Sequence, residues 1–258
     1  MKRTLLATAA PLALVFAPAH AQEAPFALDE IVVTGAFTAL APQPLARTGA
    51  TVDLLDGDAL EASPRSTLAG TLTTLPGLSF SSNGGLGTNT TLRIRGLDTS
   101  YIGVRIDGID VTDPSSTQTA FNFGGLTGGG LSRLEVLKGS QSALYGSEAI
   151  AGVVDITSWR PLVDGPSAEL RLEGGSFGTF IGSGSVGHRG DRGEAAVTFG
   201  RVTREGISAR AGDDETDGFD ETSAILGGRF EATETLTLGL NAFWRDSEIE
   251  IDQSATDN

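Results

Sequence analysis

Ala168-Glu169-Leu170-Arg171-Leu172-Glu173 alternates strictly between small or apolar residues and charged ones, and Gly174-Gly175-Ser176-Phe177-Gly178 then turns the chain. A period of two belongs to an extended strand with two unlike faces. Four more runs of this kind follow, at 179–186, 195–203, 223–232 and 236–244. Each sets apolar residues on one face and Gly, Ser, Thr or charged residues on the other. The links between them are unequal: 188–193 and 231–235 are short, whereas 204–222 is long and acidic. Short turns at one end and long loops at the other are the pattern of an outer-membrane barrel, whose strands cross a bilayer with about ten residues each. A soluble β-sandwich alternates in the same way, and on these five strands alone the two readings stand level. Five strands close no barrel, and an open apolar sheet leaves adhesive edges. The sequence therefore predicts an incomplete barrel, a fragment.

Upstream, residues 51–160 have a different texture and predict a compact α+β domain. Val52 to Leu55 reads as a short strand. Asp58 is expected to cap a helical turn through Glu61, and Ser66 to cap a helix from Thr67 to Leu75 that Pro76-Gly77 stops. In Leu92-Arg93-Ile94-Arg95-Gly96 the two aliphatic residues share one face and the arginines the other. Tyr101 to Ile106 is a further strand, and Asp107-Gly108 is a two-residue hairpin signal before Ile109. Leu134 to Leu137 and Val153 to Thr157 complete the set, with a short helix at Ser142 to Tyr145 between them.

Several blocks here are more specific than their periodicity. Leu92-Arg93-Ile94-Arg95-Gly96, Val104-Arg105-Ile106-Asp107-Gly108, and the run from Leu131 to Gly139 resemble the plug domain of the TonB-dependent receptors. So do Ser142-Ala143-Leu144-Tyr145-Gly146-Ser147, the segment Ala151 to Ile156, and the earlier block Leu72 to Leu78. They stand in the family's order and spacing. The resemblance implies an α+β plug domain followed by the first strands of a transmembrane antiparallel β-barrel at 166–258, and it favours the barrel over the sandwich. Residues 145–154 are most similar to the cobalamin transporters of that family. Siderophore receptors share most of these blocks, and an exported adhesin is the reading from another class.

The chain opens with Lys2 and Arg3, an apolar run from Leu5 to Phe16, and Ala19-His20-Ala21, which together predict a cleaved secretory signal over 1–21. Residues 22–50 carry Pro25, Pro42 and Pro44 and no sustained period, the composition of a mobile tether. Within it, 29–35 is a β-prone patch with no obvious local neighbour, fit for addition to a partner's sheet edge. By resemblance Asp29, Glu30, Ile31, Val32, Val33 and Thr34 form the TonB box, which implies a periplasmic partner, TonB, energised from the inner membrane. The same resemblance places the protein in the bacterial outer membrane, with lipid around it and a small-molecule nutrient as cargo.

Polar, glycine-rich stretches at 81–90 and 114–130 match plug loops that reach for ligand in the family, and single out Asn83, Asn89, Phe121 and Phe123. Arg93, Arg95 and Arg105 are implied to face carboxylates of the barrel wall. The long link concentrates Asp213, Asp214, Glu215, Asp217 and Asp220. Dense hard oxygen donors suit Ca²⁺, and a solvated acidic loop suits the same residues. An EF-hand does not, because its twelfth position is Ala224. No other cofactor is implied.

The remaining classes fall away on composition. A formal charge of −15 repels phosphate backbones and argues against nucleic acid. The chain has no cysteine, which removes thiol catalysis and thiolate metal sites, and His188 is the sole histidine beyond the signal. Gly182 to Gly187 matches G-x-G-x-x-G, but a turn rather than a helix is expected after it. An enzyme is not expected.

Overall fold

A computed structural model describes residues 32–33, 43–44, 51–113, 115, 120–206 and 217–250. Two short strands, β1 (Val32–Val33) and β2 (Gln43–Pro44), pair antiparallel with each other. The patch read as lacking a local neighbour therefore has one. The predicted signal, together with Asp29, Glu30, Ile31 and Thr34, lies outside the described residues.

From Thr51 to Ser158 the chain folds as an inner domain. Its main sheet takes β3 (Thr51–Asp56), β6 (Ile102–Ile106), β7 (Ile109–Asp110), β8 (Leu131–Lys138) and β9 (Gly152–Ser158) in the spatial order β3-β8-β9-β6-β7. The pairing is antiparallel except between β6 and β9, which run parallel. A second hairpin, β4 (Leu78–Ser82) with β5 (Thr90–Ile94), lies apart from that sheet. Helices α1 (Gly57–Glu61), α2 (Leu68–Leu72) and α3 (Ser142–Tyr145) are each about one turn long.

The core forms between one face of the main sheet, the β4–β5 hairpin and α2. Leu92, Ile94, Val104, Leu134, Val136, Val154, Ile156 and Phe123 are all buried in it. Leu92 and Ile94 face inward while Arg93 and Arg95 stay exposed, as their alternation required. The caps differ from expectation by small steps. Asp56, not Asp58, caps α1, accepting from the Ala59 amide at 2.9 Å. Thr67, not Ser66, caps α2, which ends at Leu72 rather than Leu75, the chain then turning through Thr74 and Leu75 before Pro76-Gly77. Ser66 is instead drawn away to bond Glu173. The hairpin signal Asp107-Gly108 is met, with φ of 49° and 81° at the two residues, as a type I′ turn needs.

Beyond Trp159 the chain becomes a single antiparallel sheet in chain order: β10 (Gly165–Gly174), β11 (Phe180–Gly190), β12 (Gly193–Arg204), β13 (Phe219–Thr233) and β14 (Leu236–Ile249). These strands are 10 to 15 residues long, about what a tilted strand needs to cross a bilayer. They extend further than the alternating runs alone indicated, because glycines and short polar ends pair without adding to the pattern. Asp191-Arg192 and Glu234-Thr235 are the tight turns, and the long link joins β12 to β13. Leu170 and Leu172 are 73% and 63% exposed, while Glu169, Arg171 and Glu173 between them are half-buried. Phe199, Leu226, Leu238, Leu240 and Trp244 continue this apolar outer face. A sandwich would bury that face against a second sheet. Here the polar face is the covered one, and the inner domain covers it. No helix among the described residues is long and apolar enough to cross a membrane.

Candidate functional site: the inner domain against the wall

The interface is built from mismatched parts: small residues on one side take large side chains from the other. Near the long-loop end, the Phe219 ring of β13 fills the place a side chain at Gly87 would occupy. Gly87 has φ of 90°, so both the backbone and the space require glycine there. Leu86 beside it packs with Ile181, Val202 and Phe219 in a small core shared by loop and wall. Ile225 and Phe243 of the wall reach the inner domain's own core.

The same end carries a polar clasp. Arg245 of β14 donates from Nε to Glu221 at 2.7 Å and from Nη1 to the Asn122 carbonyl at 3.3 Å. Asn122 in turn organises the loop, its Oδ1 accepting from the amides of Thr90 at 3.0 Å and Gly124 at 2.9 Å. Sequence reasoning passes over Asn122 in favour of its neighbours. Phe121 and Phe123 are not presented to a ligand: they are buried, edge to face at 4.9 Å, and Phe123 stacks likewise on Phe80 at 5.4 Å. The spacing does not decide between the two, since two phenylalanines flanking one polar residue anchor a loop as readily as they bind through it. Asn83 and Asn89 are exposed, and the Asn83 amide donates to the Asn89 carbonyl at 3.1 Å, closing the loop that carries Gly87.

A second fastening lies at the tight-turn end, around the Asp107-Gly108 hairpin. The Asp107 carboxylate accepts from the Ser158 amide at 3.0 Å and its hydroxyl at 2.7 Å, and pairs with Arg160 at 3.1 Å. Asn241 of β14 donates to the Asp107 carbonyl at 2.8 Å. The Arg160 guanidinium lies over Gly227 of the wall, and Trp159 and Pro161 lie over Gly187. The connection between the two domains is thereby seated on two glycines of the wall, with the small Ala196 between them in the register. Between the fastenings a void of about 40 Å³ separates Ile106, Leu131 and Ile156 from Ser183, Thr198 and Ser223.

The opposite face of the main sheet holds a charged row. Glu135, Asp155 and Arg105 are direct cross-strand neighbours on β8, β9 and β6, and Arg133 pairs with Glu135 at 2.6 Å. Glu135 is 1% exposed. Burial and the Glu135 charge push the Asp155 carboxyl up to about 7, against the pull of Arg105. Arg105 thus meets a carboxylate of its own domain. Arg93 is likewise 3.7 Å from Asp98, and Arg95 is exposed past the end of β5, so no contact of these three with a carboxylate of β10 to β14 is seen among the described residues. Among the described residues, Arg160 and Arg245 carry cations that bond across the two domains.

Of the acidic link, Asp213, Asp214 and Glu215 lie outside the described residues. Asp220 pairs with Arg201 of the neighbouring strand. Asp217 stands just before β13, and among the described residues no three metal-ligating groups lie together. Gly182 to Gly187 lies within β11, which ends in a turn and offers no helix N-terminus.

Comparison with known proteins agrees with this geometry. The TonB-dependent Receptor Plug Domain family matches residues 44–153. The vitamin B12 transporter BtuB of Photobacterium profundum is 31% identical over 260 residues, covering 98% of this chain and 41% of that protein. The chain therefore spans about two fifths of the length of this relative. Among solved structures, the siderophore receptor PirA from Acinetobacter baumannii superposes with a TM-score of 0.61 at 16% identity, over 77% of this chain and 32% of that one. The copper transporter OprC gives 0.61 at 19% identity, over 78% and 31%. At such identities these structures speak to the fold alone.

Proposed function

Residues 44–153 are a plug domain of the TonB-dependent receptor family, joined to strands built like the start of that family's barrel, and from this premise we propose that the protein takes up a scarce, bulky nutrient across the outer membrane under TonB control. The observation that carries the proposal is the reversed dressing of the wall. Its apolar face looks outward, and its polar face is filled by a separately folded domain held at two ends. A domain in that position obstructs a pore, and small-for-large contacts with few direct bonds let it shift without dismantling either partner.

Cobalamin is the cargo favoured, on the strength of the 31% identity to the BtuB relative over nearly the whole chain. Export through a cleaved signal at 1–21 and docking of TonB on residues 29–34 belong to the same proposal. The pairing of Val32–Val33 with Gln43–Pro44 supports only the strand-forming capacity of this stretch; a partner strand would add at its free edge or displace Gln43–Pro44. Asn83 and Asn89, exposed on the loop at the long-loop end, are proposed to meet the ligand. Calcium is proposed for Asp213, Asp214, Glu215 and Asp217, with Asp220 joining only if it leaves Arg201.

The test is binding and uptake of labelled cobalamin in cells that lack their own receptor and express the complete gene, with and without calcium. Saturable binding strengthened by calcium supports both assignments. Absence of binding transfers the cargo to ferric chelates. Val32→Pro removes a pairing amide, and should abolish uptake while leaving binding intact.

A further inference from the structure

The outer face of the wall is not uniformly studded. At the tight-turn end, Gly190, Gly193, Ala195 and Gly228 fall side by side in the register of β11, β12 and β13. Larger groups ring them: His188 on β11, Leu226 and Phe230 on β13, and Leu238 and Leu240 on β14. The result is a shallow, open hollow of about 550 Å³, mostly apolar, with Arg192, Glu194 and Arg229 at its border. Next to it is a second cleft of about 310 Å³ with a different character, lined by Glu231, Thr233 and Glu234. Arg192 lines both. Its guanidinium lies 5.1 Å from the centre of the Phe230 ring and donates to the Glu231 carbonyl at 2.9 Å and to the Ala232 carbonyl at 2.6 Å, so it is held where the two cavities meet.

Apolar hollow, fixed cation and carboxylate-lined cleft follow one another from the middle of the wall toward its tight turns. We propose that this is a binding site for a zwitterionic aminophospholipid of the periplasmic leaflet. An acyl chain lies in the hollow, the phosphate meets Arg192, and the primary ammonium meets Glu231 and Glu234. The inference rests on reading the outer face as lipid-facing, and short turns mark the periplasmic end of such a barrel. The hollow is continuous with the apolar face that the bilayer covers, so an occupant from the same bilayer needs no separate approach. The order of charges selects the headgroup. An anionic headgroup such as that of phosphatidylglycerol satisfies Arg192 through its phosphate but, its glycerol being uncharged, brings no cation to the two glutamates. A quaternary ammonium cannot donate hydrogen bonds to them. Of the other charges at the hollow's border, Glu194 and Arg229 stand opposite each other at positions that alternate with Ala195 and Phe230, and Arg189 pairs with Glu194.

The experiment uses the protein expressed from its complete gene, reconstituted into vesicles of phosphatidylethanolamine, phosphatidylglycerol and phosphatidylcholine in equal amounts. It is then extracted gently and weighed by native mass spectrometry, with heat-modifiable gel migration as the check that the barrel is closed. Retention of phosphatidylethanolamine above the other two is expected. Ala195→Phe fills the hollow without altering the backbone requirement, and should abolish the retention. Glu234→Gln leaves the hollow open and should lower the preference for phosphatidylethanolamine over phosphatidylglycerol about two- to fivefold, the range of a solvent-exposed ion pair. Equal retention of all three lipids, or unchanged retention in a correctly migrating Ala195→Phe protein, overturns the site. Failure of the unaltered protein to show heat-modifiable migration would overturn the barrel reading itself.

Discussion

Leu92-Arg93-Ile94 in the plug and Leu170-Arg171-Leu172 in the wall are nearly the same sequence and end in opposite circumstances. In the first, both aliphatic side chains are completely buried and the arginine is exposed. In the second, both leucines are more than half exposed and the arginine is half-buried beneath the plug. Alternation thus specifies that a strand has two faces, and it leaves open which face meets the protein. The surroundings settle that. The plug has its own helix and hairpin to cover its leucines, whereas no second sheet among the described residues covers the wall, and its leucines stay exposed.

The contrast can be broken most forcefully at Phe123, the largest fully buried side chain of the plug. Phe123→Ala should cost the plug about 3–5 kcal/mol. The same truncation at the outward Phe199 should cost far less, since lipid chains fill what the ring vacates. Denaturant titration in micelles, followed by protease sensitivity of the plug, would separate the two. Leu170→Arg asks the converse question. A cation near the bilayer midplane on an outward position should destabilise the barrel by about 2–4 kcal/mol, measured as folding into lipid vesicles. Glu169→Arg, on the inward side, should not show that membrane penalty.

The fastening at the tight-turn end allows a finer test. Asp107→Asn keeps an oxygen for Ser158 but removes the charge opposite Arg160. A hydrogen-bonded charge of this kind is worth about 1.5–3 kcal/mol, so the plug should become protease-sensitive at lower denaturant with the wall unaffected. The last test concerns pH. Asp155 has its carboxyl raised to about 7 from an ordinary value of 3.8. The folded plug therefore binds a proton more readily than the unfolded chain. Its stability declines as pH rises from the unfolded value through about 7. Asp155→Asn should flatten that decline, as hydrogen exchange on β8 and β9 at pH 5 and pH 8 would reveal.

Much of this is legible in the residues, and the gaps have physical causes. Most strands of both domains are readable because alternation is local, and so is the Asp107-Gly108 turn, whose φ values only a few residue pairs accept. β4 (Leu78–Ser82) is missed because its serines read as part of a polar loop. Caps slip by one or two positions because Asp56 and Asp58, or Ser66 and Thr67, are chemically equivalent until tertiary contacts choose. Ser66 is taken by Glu173, more than a hundred residues away. Phe121 and Phe123 mislead because an aromatic ring in a polar loop looks the same whether it points out or anchors. The glycines of the interface carry no signal at all in isolation. Gly87 makes sense only beside Phe219, and Gly227 only beneath Arg160.

The order of strands in the plug sheet has a mechanical consequence. β3 is an edge strand, hydrogen-bonded to β8 on one side alone, and it is the first element of the plug that a pull arriving through the preceding residues would meet. Its load end is Thr51, opposite Lys138, where its bonds can break in succession rather than all together. Peeling it away would also strip Asp53 from Lys138, leaving a buried ammonium with the Pro76 carbonyl. The four strands behind it, with the parallel pair β6–β9 among them, would remain anchored to the wall through Asp107 and Arg160. The plug is in this sense a zip with a stop: weak where it is first tugged, and stitched to its frame further in.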